Sequence, residues 1–189
     1  MTARTTTNSY RRRVHRFATL AAAGIVMTAA TVFGAASVAH AASSTTCLGH
    51  SSISYTPGLT FTPHTVQYTE TDTFSNCLST DPTLVSGSST TSVTFPSASC
   101  LAPPGIFEDP AYTITWNNGQ HSVVELTFTD VIVGGTEQVT GTGTVISGEF
   151  QGGNATIVWL YPVLNPLQCL TSPGVTSQSG PVTAQITTL

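Results

Sequence analysis

The chain has 189 residues and a formal net charge of −4, with five Lys and Arg residues against nine Asp and Glu residues. All five basic residues are arginines within residues 4–16, so residues 42–189 hold nine acids and no Lys or Arg, a side-chain charge of −9 with His neutral. Without basic side chains this part of the chain cannot neutralise phosphate, which excludes nucleic-acid binding and attraction to anionic lipid. It can form neither a Lys Schiff base nor a guanidinium clamp.

Residues 1–41 have the pattern of a signal peptide. The basic segment precedes an uncharged stretch from Phe17 to Ala39, and Ala39-His40-Ala41 fits the small-x-small cleavage pattern. We therefore expect cleavage after Ala41 and a secreted, extracellular protein, residues 42–189, that has no contact with the membrane. An uncleaved membrane anchor is the alternative, because the uncharged stretch is long enough to span a bilayer.

The first part of the mature chain predicts two strands joined by a turn. A strand is predicted over Ser51–Thr56, and Pro57-Gly58 begins a turn region that ends near His64. The second strand follows, with Val66 and Tyr68 on one face.

Two acids continue the inward face of this second strand. Glu70 and Asp72 have the same parity as Val66 and Tyr68. Carboxylates are rarely buried without a partner, so the pattern indicates that the strand leaves the core at this point. A third strand is predicted over residues 90–95.

The longest hairpin pattern covers residues 112–133. Asn117-Asn118-Gly119 supplies residues that tolerate positive φ, as a tight turn requires. On either side of the turn, apolar residues alternate with polar ones: Tyr112, Ile114, Trp116, Val124, Leu126 and Phe128. We interpret this segment as the central hairpin of the domain.

The remaining segments are also strand-like. Gly141, Gly143 and Gly148 interrupt one of them, which indicates bulges or a close approach of two backbones. The next, Ala155–Tyr161, is apolar on both faces. Seven to nine short strands and no amphipathic helix predict an all-β fold, a single antiparallel β-sandwich or small barrel over residues 42–189.

Four cysteines, all in the exported part, predict two disulfides with three possible connectivities. Cys47 and Cys77 lie symmetrically about residue 62, so a hairpin centred there would place them opposite one another. We expect the pairs Cys47–Cys77 and Cys100–Cys169.

Several segments carry a resemblance to known proteins: CLGH, YTPGLTFTP, CLSTDP, WNNGQ, GTVISGEFQGG and CLTSPGVT. Across residues 43–189 the chain resembles a group of small secreted actinobacterial proteins without an assigned activity. The resemblance implies a secreted, disulfide-bonded β domain and supplies no catalytic residues. The order Cys100, Trp116, Cys169 is similar to that of immunoglobulin-like domains, but Leu167 stands where their tyrosine corner would be, so this likeness concerns architecture only.

Catalytic and metal-binding patterns are weak. Neighbouring residues in extended chain point in opposite directions, so Glu108 and Asp109 are expected to be solvated loop charges rather than a catalytic pair. Nothing in the spacing brings His50, His64 and His121 together as metal ligands. His121, Ser122 and Asp130 lack the glycine-rich oxyanion loop of a hydrolase. We expect no catalytic residues, no metal and no cofactor.

Aromatic and loop residues are the other candidates. Trp116, Trp159, Tyr112 and Tyr161 alternate with apolar residues, which favours core packing over a sugar-stacking platform. Two proline-rich loops carry large apolar residues that either cap the core or meet a partner. With the adjacent acids, these residues form our candidate interaction surface: Ile106, Phe107, Glu108, Asp109, Leu164 and Leu167.

The composition and pattern favour a secreted, non-enzymatic, monomeric protein that acts as an extracellular binding or surface-associated module for an unknown partner. The alternative is a small-ligand carrier with an apolar cleft. A hydrolase that uses paired carboxylates is the third hypothesis.

Overall fold

The computed structural model describes residues 42–104 and 111–188, which form eight β-strands and one short helix. In chain order the elements are β1 (Ser44–Leu59), β2 (His64–Ser79), β3 (Gly87–Ala98), β4 (Ala111–Trp116), β5 (His121–Val133), β6 (Thr136–Gly148), β7 (Asn154–Pro162), α1 (Pro166–Cys169) and β8 (Val175–Thr187). Each strand pairs antiparallel with the next, and β8 pairs with β1, so the sheet closes into a barrel. The all-β prediction and its barrel option are confirmed. A sandwich is not what forms, because β1 pairs with β8 and the sheet closes on itself.

The first strand is longer than the sequence pattern predicts. Pro57 and Gly58, expected in a turn, lie inside the 16-residue β1. They fall in an irregular stretch where the pairing with β8 skips from Ser54 to Leu59. A proline is tolerated at such an interruption because no ladder hydrogen bond needs its missing N–H.

The barrel interior is packed with side chains at the end that holds the β4–β5 turn. Trp116 and Phe150 meet edge to face with their ring centroids 6.1 Å apart, and the Trp116 indole donates a 2.9 Å hydrogen bond to Ser122 Oγ. The predicted turn is present, with Gly119 at φ 83°. Large side chains therefore close this end of the interior.

Two glycines of β6 allow close contacts with neighbouring strands, as the sequence pattern indicates. A Cβ at Gly143 would lie 1.7 Å from the Glu125 carbonyl oxygen, so the two backbones can approach only with glycine there. A Cβ at Gly141 would lie 3.2–3.3 Å from the side chains of Leu126, Phe128 and Trp159. Gly141 thus leaves room inside the barrel for the Trp159 ring.

Two disulfides stabilise the barrel, and they are the expected pairs. Cys47–Cys77 links β1 to β2 at directly opposed positions. Cys100–Cys169 links the connection after β3 to α1. α1 has four residues, and within residues 42–104 and 111–188 no helix has the length and hydrophobicity to cross a bilayer.

Candidate functional site

The barrel interior is hollow at the end opposite the β4–β5 turn. The cavity there has a volume of about 100 Å³ and lies beside the β3–β4 connection, which contributes Pro103 and Pro104 to its wall. Most of the remaining wall consists of aromatic and acidic side chains, among them Tyr55, Tyr68, Glu70, Tyr112, Trp159 and Tyr161. The cavity therefore combines aromatic surface with a carboxyl group.

Hydrogen-bond donors from three strands surround the carboxyl group of Glu70. Tyr161 on β7 donates to Oε1 at 2.6 Å, and Tyr68 on β2 donates to Oε2 at 2.8 Å. Ser51 on β1 donates to Oε1 at 3.2 Å and lies 2.6 Å from the Tyr161 hydroxyl. Both carboxyl oxygens are thus held in a fixed direction, with the side chain facing the cavity.

Asp72 lies one inward position deeper on β2 and is 1% exposed. Its Oδ2 accepts hydrogen bonds from the Tyr112 hydroxyl and, at 3.0 Å, from the Trp159 indole. Its Oδ1 is buried and has no hydrogen-bond partner among the described residues. Because Tyr112 and Trp159 both line the cavity, Asp72 fixes the orientation of two of its wall residues.

Burial makes both carboxyl groups hard to ionise. Burial, with the nearby Asp72 charge, raises the pKa of Glu70 from 4.5 to about 7, although the hydrogen bonds from Tyr161, Tyr68 and Ser51 lower it. Burial also raises the pKa of Asp72, against the effect of the nearby Ser51, Tyr112 and Trp159 groups. Near neutral pH, Glu70 is therefore poised between its protonated and charged forms.

The tyrosines around these acids remain hydrogen-bond donors. Burial, and after it the charge of Glu70, raises the pKa of Tyr68 and of Tyr161. Burial and the charge of Asp72 raise the pKa of Tyr112 in the same way. Their hydroxyl groups consequently stay protonated over the whole range in which the carboxyl groups titrate.

The prediction that β2 leaves the core at Glu70 and Asp72 is wrong. Both side chains continue the inward face of Val66 and Tyr68, and the next inward residue, Phe74, is fully buried. The acids stay inside because β1, β4 and β7 supply donors from distant parts of the chain. The alternation predicts on which face of β2 these residues lie, but it does not predict which residues donate hydrogen bonds to them.

The candidate interaction surface is described only in part. Ile106, Phe107, Glu108 and Asp109 lie outside the described residues. Leu164 is half-buried against the core, and Leu167 on α1 is 72% exposed. Pro104 and Ala111, the described residues on either side of this gap, both line the cavity.

The other candidates are not brought together. Ser122 is fully buried and donates to the Glu149 carbonyl oxygen at 2.7 Å. Asp130 lies eight residues further along β5, about 26 Å away at the rise of a strand, so no triad forms with His121. In residues 42–104 and 111–188, no three His, Cys, Asp or Glu side chains are grouped as metal ligands.

The four aromatic residues expected in the core are buried. Trp116 lies in the packed end of the barrel, whereas Tyr112, Trp159 and Tyr161 line the cavity.

Comparison of the chain with protein-family models, curated proteins and solved structures finds no match. The resemblance to secreted actinobacterial proteins therefore stays an expectation.

Proposed function

We propose that this protein is a secreted carrier that binds a small ligand in the cavity at one end of the barrel. The cavity itself carries the proposal, since small-molecule sites are concave, largely apolar and furnished with a few fixed polar groups. Eight-stranded barrels are just wide enough either to be filled by side chains or to hold one small ligand. This barrel is filled at the Trp116 end and hollow at the Trp159 end.

Secretion is supported by the cysteines and by the N-terminal sequence. Two disulfides indicate an oxidising, extracellular environment. Intact-mass measurement of the protein recovered from the medium should give a chain that begins at Ala42. Recovery of membrane-bound protein with an intact N-terminus would overturn this part of the proposal.

The other hypothesis is an extracellular module that binds a partner through its proline-rich loops. It stays a prediction. Leu167 is exposed on α1, as that reading requires, but Leu164 packs against the core. The cavity is the more specific feature, because its polar groups are already oriented by hydrogen bonds.

The two tryptophans give a direct test of ligand binding. Trp159 lines the cavity and Trp116 lies at the packed end, and the chain has only these two. A ¹⁵N-labelled sample titrated with a panel of neutral and charged organic molecules should show a shift of the Trp159 indole N–H signal. The Trp116 signal should stay in place and serve as the internal control.

A cavity-filling substitution completes the test. Val139→Phe places a larger side chain at the cavity wall, and Ile146→Phe introduces the same phenyl ring elsewhere on β6, at a position 47% exposed. We expect Val139→Phe to abolish the Trp159 shift and Ile146→Phe to leave it intact. If no compound of the panel selectively shifts the Trp159 indole signal, the carrier proposal is wrong.

A further inference from the structure

The cavity is surrounded by acids that have no basic counterpart. Glu70, Asp130 and Glu137 line it, and Asp72 lies directly beneath. No Lys, Arg or His is among the described residues that line it, and residues 42–189 contain neither Lys nor Arg. A low-dielectric cavity lined by one sign of charge concentrates ions of the opposite sign.

Aromatic rings make up much of the rest of the cavity wall. Tyr112 and Trp159 meet edge to face with ring centroids 5.7 Å apart, and Phe128 lies 6.1 Å from Trp159. Tyr55 and Tyr68 form a further pair, 5.9 Å apart, on the opposite part of the wall. Aromatic faces attract cations that have given up water, and ammonium groups are the usual guests of such cages.

We propose that the ligand is a small organic ammonium ion, whose charge is balanced by the Glu70 carboxylate and whose carbon atoms pack against the aromatic rings. This inference rests on the proposed carrier function and names the class of ligand. The cavity is smaller than the void of about 150 Å³ that holds benzene in an engineered protein, so only a compact ammonium head can lie inside and a longer substituent must extend outward.

The hydrogen bonds at Glu70 fit this role. An unpaired carboxylate in a dry interior is unfavourable because it loses its hydration, and Tyr68, Tyr161 and Ser51 offset only part of that cost by donating to its oxygens. A bound cation supplies the missing opposite charge. A neutral molecule would leave that charge unbalanced, so its binding favours the protonated form of Glu70.

Binding should therefore depend on pH. The titratable groups around the cavity with Glu70 are Tyr68 and Asp72 on its own strand, Tyr55 on β1, Tyr112 on β4, Asp130 on β5, Glu137 on β6 and Tyr161 on β7. The tyrosines do not titrate near neutral pH, which leaves the carboxyl groups as the variable charges. Because the pKa of Glu70 is about 7, affinity for a cation should fall about tenfold from pH 8 to pH 6.

The test uses ammonium probes with uncharged counterparts of similar shape. Choline is paired with 3,3-dimethyl-1-butanol, and benzylammonium with benzyl alcohol, each titrated while the Trp159 and Trp116 indole signals are followed. We expect at least one ammonium probe to shift Trp159 alone and to bind about tenfold or more tightly than its counterpart. That preference should shrink to within about twofold in Glu70→Gln, and it should persist in Glu125→Gln, a matched change on the exposed face of β5.

The outcomes separate this inference from the carrier proposal. If the uncharged probes, or neutral members of the wider panel, shift Trp159 as strongly as the ammonium probes, the carrier proposal stands and the cation inference is overturned. If nothing shifts Trp159, both fail. Should Glu70→Gln not fold, the pH series on the unaltered protein decides, because affinity that is constant from pH 6 to pH 8 contradicts a role for Glu70.

Discussion

The Tyr161 hydroxyl donates a 2.6 Å hydrogen bond to Glu70 Oε1, and this bond crosses the barrel interior between β7 and β2, which are not neighbours in the sheet. The Trp159 indole makes a second crossing, at 3.0 Å, to Asp72. Two inward residues of one strand are thus tied to two inward residues of the other. These bonds position the acids and give the hollow end of the barrel a defined shape.

Replacing Tyr161 with Phe should raise the pKa of Glu70 further. The hydrogen bond from Tyr161 stabilises the charged form of the Glu70 carboxyl group. Removing this bond therefore favours the protonated form. A ¹³C NMR titration of the Glu70 carboxyl carbon measures the change. Tyr55→Phe is the control, because the Tyr55 hydroxyl donates to Gln178 instead. An unchanged or lowered pKa in Tyr161→Phe would show that this bond does not stabilise the carboxylate.

Glu70 should make the protein more stable in mild acid than at pH 8. Its pKa rises from 4.5 to about 7 on folding, so between these values the folded state binds more protons than the unfolded chain. The free energy of unfolding therefore falls as pH rises through this interval, by at most about 3 kcal/mol from this group. Urea unfolding at pH 5 and pH 8 measures the difference.

Glu70→Gln should remove most of that pH dependence, and Glu125→Gln on the exposed face of β5 should retain it. The remaining dependence in Glu70→Gln should keep the same sign, because the pKa values of Asp72 and Glu137 are also raised by burial. Stability that increases from pH 5 to pH 8 in the unaltered protein would contradict the pKa assigned to Glu70.

Local sequence patterns predicted the strands well but not the closure of the sheet. Alternation and turn residues gave the β4–β5 hairpin, since both depend on neighbours in the chain. Sandwich and barrel share this alternation, and they differ here in whether Thr45 pairs with Ile186 at the far end of the chain. Nothing local to β1 or β8 encodes that choice.

The candidate site was less accessible to sequence reasoning. An acid on an apolar face is usually a sign that the strand reaches solvent, and two of them in succession strengthen that interpretation. Two of the donors that keep Glu70 and Asp72 inside, Tyr161 and Trp159, come from residues 91 and 87 positions away. A usable signal was the lack of Lys and Arg, which leaves any buried acid to be satisfied by Tyr, Trp and Ser.

Two substitutions at Asp72 should destabilise the protein to different extents. Asp72→Ala removes the acceptor for Tyr112 and Trp159, and leaving two buried donors unsatisfied should cost on the order of 3 kcal/mol. Asp72→Asn keeps a carbonyl oxygen for both donors but places its amide N–H₂ group at the buried Oδ1 position, where the described residues offer no acceptor, so it should cost less than Asp72→Ala, about 1–2 kcal/mol at pH 8. Urea unfolding compares them, and equal losses would show that the hydrogen bonds to Oδ2 contribute little.

Gly143→Ala should be far more damaging than Gly141→Ala. The added methyl at position 143 meets the backbone of β5, which cannot move without breaking the β5–β6 ladder, so a loss of more than about 3 kcal/mol is expected. At position 141 it meets only side chains, which can shift by a few tenths of an ångström. Thermal unfolding of both variants tests this difference, and similar melting temperatures would contradict the close backbone approach.

The two disulfides should stabilise the protein by similar amounts but protect different regions. Their sequence separations are 30 and 69 residues. On the chain-entropy model each contributes about 4 kcal/mol, with the longer loop worth less than about 1 kcal/mol more.

Cys47 and Cys77 lie opposite each other in paired strands, which the hydrogen bonds between β1 and β2 already hold together. Cys100 and Cys169 instead join two connections at the hollow end, where few backbone hydrogen bonds replace the covalent link. Removing the second pair by double Ala substitution should speed amide hydrogen exchange at Cys100, whose N–H donates to the Thr60 carbonyl oxygen at 2.8 Å. Removing the first pair should leave that amide protected, and equal exchange in the two variants would mean that the barrel opens as one unit.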